Sequence, residues 1–150
     1  MRQGLADYRA TGSELARTFF LAELAELYGQ AGHAEEGLTV LAEAQTQVRT
    51  TEEHWHDAEL YRLTGELTLQ QLPDGVGEAE ACFHQALDVS RQQEAKSLEL
   101  RAATSLARLW QSQGKLQEAY DLLAPVYKWF TEGFDTADLK DAKSLLNELA

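Results

Sequence analysis

Two histidines one residue apart, His54 and His56, stand among the carboxylates of Glu52, Glu53 and Asp57, the only grouping in the chain with the side chains a metal ion takes. Residues at i and i+2 of a helix point roughly 200° apart, so the pair cannot share one ion on a regular backbone. Acids gathered at a helix start are stabilised by its dipole, which accounts for the cluster without a metal. His33 and His84 stand alone. Gly75-Val76-Gly77 is half of a dinucleotide-binding fingerprint, but Glu80 holds the third glycine position and no strand-like run precedes it. Gly114-Lys115 is followed by Leu116, so a phosphate loop would lack the hydroxyl that holds magnesium. Ser112 and Lys115 have the serine-to-lysine spacing of some acyl enzymes, without any accompanying motif. Cys82, between Ala81 and Phe83, has no activating base beside it in sequence and reads as a buried structural thiol. No catalytic set, metal site or cofactor is expected, and the chain reads as a non-enzyme.

The elements that would position any site are helices. The chain has 150 residues with only 2 Pro and 10 Gly, and it contains no Ile and no run of alternating Val or Thr from which to build a sheet. Its length suits one domain, 1–150, able to bury a core without disulfide or metal. A formal charge of −12 disfavours a nucleic-acid backbone as partner, and the apolar runs are far too short to cross a bilayer. One cysteine and no charged-then-apolar leader make the cytoplasm the expected compartment.

An internal repeat organises the chain. Leu24-Ala25-Glu26-Leu27-Tyr28-Gly29-Gln30-Ala31-Gly32 returns as Leu106-Ala107-Arg108-Leu109-Trp110-Gln111-Ser112-Gln113-Gly114. The glycines are twice 41 residues apart, and a middle copy fits Tyr61 to Leu67 followed by Glu78 to Leu87. Tyr28 and Trp110 should therefore have like surroundings. Small residues (Ala25, Gly37, Ala79, Ala107 and Ala119) fall where two helix axes would approach, with Leu41, Phe83 and Leu123 filling the adjacent gaps.

These residues resemble the tetratricopeptide repeats. The first copy matches at Leu21, Leu24, Ala25, Tyr28, Gly32, Gly37, Leu41 and Ala44, and the third at Leu106, Ala107, Trp110, Gly114, Ala119, Leu123 and Val126. The second matches at Tyr61, Gly65, Ala79, Phe83 and Ala86 around a lengthened turn at Leu72 to Gly77. The resemblance implies an all-α, right-handed solenoid of about three helical hairpins closed by a C-terminal capping helix. Its parts would be 1–12 as the end of a preceding repeat, 13–50, 51–93 and 95–130 as repeats one to three, and 136–149 as the cap. Thr50 and Glu53 make a capping box for the helix that opens the second repeat. From Glu78 to Gln113 no Gly or Pro occurs, yet the period demands a turn near Gln93 to Lys96, with Glu94 where the family would place glycine. Asp135 or Thr136 should cap the last helix, whose Leu139, Ala142, Leu145, Leu146 and Leu149 form one stripe. At the other end, residues 1–12 look like the second helix of a hairpin without its first. Exposed apolar surface is expected there, and a homodimer could form through it.

Two runs, Lys96 to Ala103 and Thr131 to Lys140, are similar to the C-terminal tails of large bacterial signalling proteins, in which a nucleotide-cyclase-like domain and a predicted ATPase precede tetratricopeptide repeats. The resemblance implies an interaction or sensor scaffold that binds a protein or peptide partner. Transferring the repeat positions puts Glu23, Glu26, Arg62, Glu66, Arg101, Thr104 and Arg108 on a concave inner face. Those groups could grip a peptide, arginine forming two-pronged bonds to carboxylates, or could pair with one another, as Glu66 with Arg101 or Arg62 with Glu26. Changing Arg101 and Arg108 to Glu should abolish capture and barely alter folding. The alternative function is self-assembly of a parent protein with no separate ligand.

Overall fold

The computed structural model describes residues 17–51, 57–72 and 74–150. Among them the chain is all-helical, with seven helices and no strand: α1 Arg17–Gln30, α2 Ala34–Thr51, α3 Asp57–Gln71, α4 Val76–Gln92, α5 Lys96–Ser112, α6 Leu116–Trp129 and α7 Ala137–Leu149. No described helix is long and apolar enough to cross a membrane. Residues 1–12, with the expected uncapped end and its dimer contact, lie outside the described residues. So do Glu52, Glu53, His54 and His56. The capping box is corrected in its first member, because α2 runs through Thr51 and places Thr50 inside a helix rather than ahead of one.

Backbone chemistry sets where three of the helices stop. At the end of α1, Gly32 takes φ +81°, its N–H bonds to the Gly29 carbonyl and the next N–H, of His33, bonds back to Tyr28 at 2.7 Å. Gly114 closes α5 in the same way, at φ +78° with Lys115 bonded to Trp110 at 2.9 Å. The end of α4 repeats the device on a residue poorly suited to it. Glu94 sits at φ +55°, with its N–H on Arg91 and that of Ala95 on Ser90. The left-handed conformation crowds a Cβ against the following carbonyl, so here the turn prevails over local preference. Thr136 stands at the start of α7 with an extended backbone and no side-chain capping bond.

Each helix packs against the next in sequence, and α1 also touches α3, α3 touches α5, and α5 touches α7; no other pair of described helices meets. The odd-numbered helices thus form a connected row, and the even-numbered ones do not touch each other. Close approach within hairpins falls at the small residues. A Cβ on Gly37 would lie 3.2 Å from the Ala25 carbonyl, and one on Gly65 would lie 3.1 Å from that of Ala79. Leu41, Phe83 and Leu123, one turn further along α2, α4 and α6, are completely enclosed. Two apolar clusters result, one joining α1 to α3 around Leu21, Leu41 and Leu63, the other running from Ala79 to Leu149. Leu139, Ala142, Leu145 and Leu149 of α7 belong to the second, with Leu146 at its edge.

Tyr28 and Trp110 share partial burial and the same carbonyl role in their turns, and each has an imidazole beside its ring: His33 at 6.5 Å and His84 at 6.1 Å. They differ at the rim, where the Trp110 indole N–H donates to Glu80 of α4 at 2.6 Å.

Candidate functional site

The row of odd-numbered helices carries the polar residues of interest. Six of the seven expected positions line a single cavity of about 610 Å³: Glu26 from α1, Arg62 and Glu66 from α3, and Arg101, Thr104 and Arg108 from α5. Ser105, also of α5, and α7, through Asp138, Lys140, Asp141 and Ser144, complete it. A second cavity of about 500 Å³ shares Glu26, Arg62 and Glu66 and continues over Leu63, Leu67 and Leu69, so the two form one trough. Glu23 is exposed on α1 and lines neither.

The floor of the trough is an ion-pair cluster centred on a residue that the repeat positions did not single out. Glu59 is buried in the first turn of α3. One turn on, the Arg62 guanidinium grips it two-pronged, Nε to Oε2 at 3.0 Å and Nη2 to Oε1 at 2.6 Å. Arg101 reaches the same carboxylate from α5 at 2.8 Å. Burial pulls the Arg62 pKa down, but its hydrogen bond to Glu59 and the charges of Glu59, Glu66 and Glu26 more than offset this and hold it above the usual arginine value. Its Nη1 donates to the Ser105 hydroxyl at 3.4 Å. The signal for Glu59 was available: it stands three residues before Arg62 and at the repeat position equivalent to Arg101.

Arg101 is a brace between helices. Besides Glu59 it faces Glu26 of α1 at 3.7 Å and Asp138 of α7 at 3.5 Å, so one guanidinium meets carboxylates from three helices. Replacing it by Glu would put a fourth carboxylate among those three. Such a change would disturb the helix packing as well as the trough, against the sequence expectation that folding is spared; Arg108, whose only ion pair among the described residues is an exposed one with Asp141, can be changed with less structural cost. Thr104 is satisfied within its helix, its hydroxyl donating to the Leu100 carbonyl at 2.8 Å. Pairing inside the trough takes other combinations than the sequence expectation: Arg101 meets Glu26 across helices at 3.7 Å and Arg62 meets Glu66 within α3 at 3.9 Å, while Glu26 acts on Arg62 as a nearby charge.

Among the described residues no group of three His, Cys, Asp or Glu could hold a metal ion. Cys82 is half-buried, and burial, with the charge of Glu78, pushes its thiol pKa up, away from the reactive thiolate. Scanned against protein-family models and searched against curated proteins, the chain finds no match.

Proposed function

We propose that this chain is a right-handed solenoid of three tetratricopeptide-like hairpins with α7 as its cap, and that its trough binds a peptide or protein segment without catalysis. What carries the reading is that Glu26, Arg62, Glu66, Arg101, Thr104 and Arg108, transferred as repeat positions from three separate stretches of sequence, line one cavity. Support for the stacking comes from the helix adjacencies, odd to odd as well as each to the next, since a closed bundle would also bring first and last helices together. Small residues at equivalent places in the hairpins agree with it. The trough is polar and open, with a floor of arginines already held by carboxylates. It suits an extended or helical segment bearing charged side chains better than a small apolar molecule. The similarity of Lys96 to Ala103 and of Thr131 to Lys140 to signalling-protein tails extends the reading: such a module would report partner binding to an attached ATPase or cyclase domain.

Site-specific photocrosslinking tests this. A benzoylphenylalanine at Ser144, inside the cavity, should crosslink a discrete partner in cells expressing the protein, and the same group at Gln85, exposed on α4, should not. Crosslinking from Gln85 alone would move the binding face to the even-numbered helices and defeat the proposal.

A further inference from the structure

The trough has a charge order along its length, set by one repeat position. In the first three odd-numbered helices, the residue following the small one is Glu26 after Ala25 in α1, Glu66 after Gly65 in α3, and Arg108 after Ala107 in α5. Glu26 and Glu66 line both cavities and meet their arginines only beyond hydrogen-bond length, with side chains 35% and 40% exposed. The arginine between them, Arg62, is committed to Glu59 and cannot neutralise them fully. Beside these carboxylates lie the half-buried Leu69 and the edges of the buried Leu63 and Leu67, a narrow apolar wall for the methylene stem of a lysine or arginine. The α5 and α7 end offers Arg108, held by one exposed carboxylate, and Lys140, exposed and in no ion pair among the described residues. One end can thus take a cation and the other an anion.

We propose that the ligand is a charge-segregated peptide: a lysine or arginine seated between Glu26 and Glu66 over the leucines, and, further along, an aspartate or glutamate at Arg108 and Lys140. This deepens the peptide-binding reading and rests on it. A peptide of uniform charge would meet repulsion at one end, so charge order, not charge total, would set affinity.

The probes are fluorescein-labelled twelve-residue peptides on one Ser/Ala/Leu frame. One carries two Lys then two Glu, one the reverse order, one the same four residues alternating, and one Lys only. Fluorescence polarisation at about 150 mM salt, where exposed long-range attraction is largely screened, reads the affinities. One segregated peptide should bind at least tenfold tighter than the alternating one. The Glu26→Gln, Glu66→Gln double variant should erase that preference, as should Arg108→Gln, both checked for unchanged circular dichroism. Equal affinities for segregated and alternating peptides, or a lysine-only peptide binding best, would overturn the charge order. If that equal binding is lost in Ser144→Trp, which fills the cavity, the trough survives as a binding face and only the order fails. No binding by any peptide would overturn both.

Discussion

Glu59→Gln isolates the ionic floor of the trough. The native carboxylate is 9% exposed and accepts from two guanidiniums, those of Arg62 (11% exposed) and Arg101 (29% exposed). The amide keeps the shape but loses the charge, and it must turn its NH₂ toward a cation or abandon one bond. Removing one partner of a buried ion pair costs roughly 3–5 kcal/mol, because the other charge stays desolvated and uncompensated. Arg101 can lean on Glu26 and Asp138 as ion pairs, whereas Arg62 keeps Glu66 at 3.9 Å, the more distant charge of Glu26 and the neutral Ser105 hydroxyl. The loss should therefore fall near the lower end, about 3 kcal/mol, equivalent to a Tm drop of roughly 6–12 °C for a chain of this size. Urea denaturation followed by circular dichroism measures it. Asp141→Asn, which breaks the exposed pair with Arg108, is the internal control and should cost under about 1 kcal/mol. Equal losses for the two variants would refute the claim that burial, not the number of ion pairs, makes the cluster matter.

Gly65→Ala should destabilise by about 1–2 kcal/mol although alanine is the better helix former by about 1 kcal/mol, since the new Cβ would sit 2.6 Å from the fully enclosed Phe83 ring. A raised denaturation midpoint would show that the helices do not meet there. Glu94→Gly should do the opposite, stabilising by about 0.5–1 kcal/mol as strain at φ +55° is relieved against the extra unfolded-state freedom of glycine. Unchanged or lowered stability would contradict the turn geometry. Cys82, the sole cysteine, should react with iodoacetamide at pH 8.5 several-fold more slowly in the native chain than in urea, because burial keeps its proton on; equal rates would place the thiol in open solvent.

The helices were legible because their signals are local: a near absence of breakers, stripes such as Leu139 to Leu149, and glycines at Gly32 and Gly114. The turn at Glu94 was not local. Nothing in Gln92 to Ala95 announces a left-handed residue, and only the period between distant copies demanded it. The same reasoning brought six residues to one cavity but stopped at its floor. The equivalence of Glu59 to Arg101 marked its face, but in the first turn of α3 an acid ordinarily reads as a partner of the helix dipole in solvent, and its burial depends on how α5 lies across α3. Asp138 and Asp141 read as the solvated side of a capping helix. They face Arg101 and Arg108 because α7 packs on α5 as well as on α6, a choice of docking partner that no periodicity within α7 encodes. Glu23 errs the other way. It follows Ala22 on the same helix as Glu26 but three residues earlier, about 60° around the axis, and that offset carries it out of the trough. Repeat arithmetic thus fixes which residues recur on a face. The angle at which neighbouring helices cross decides which of those share a cavity, and that angle is a property of packed side chains rather than of any one segment.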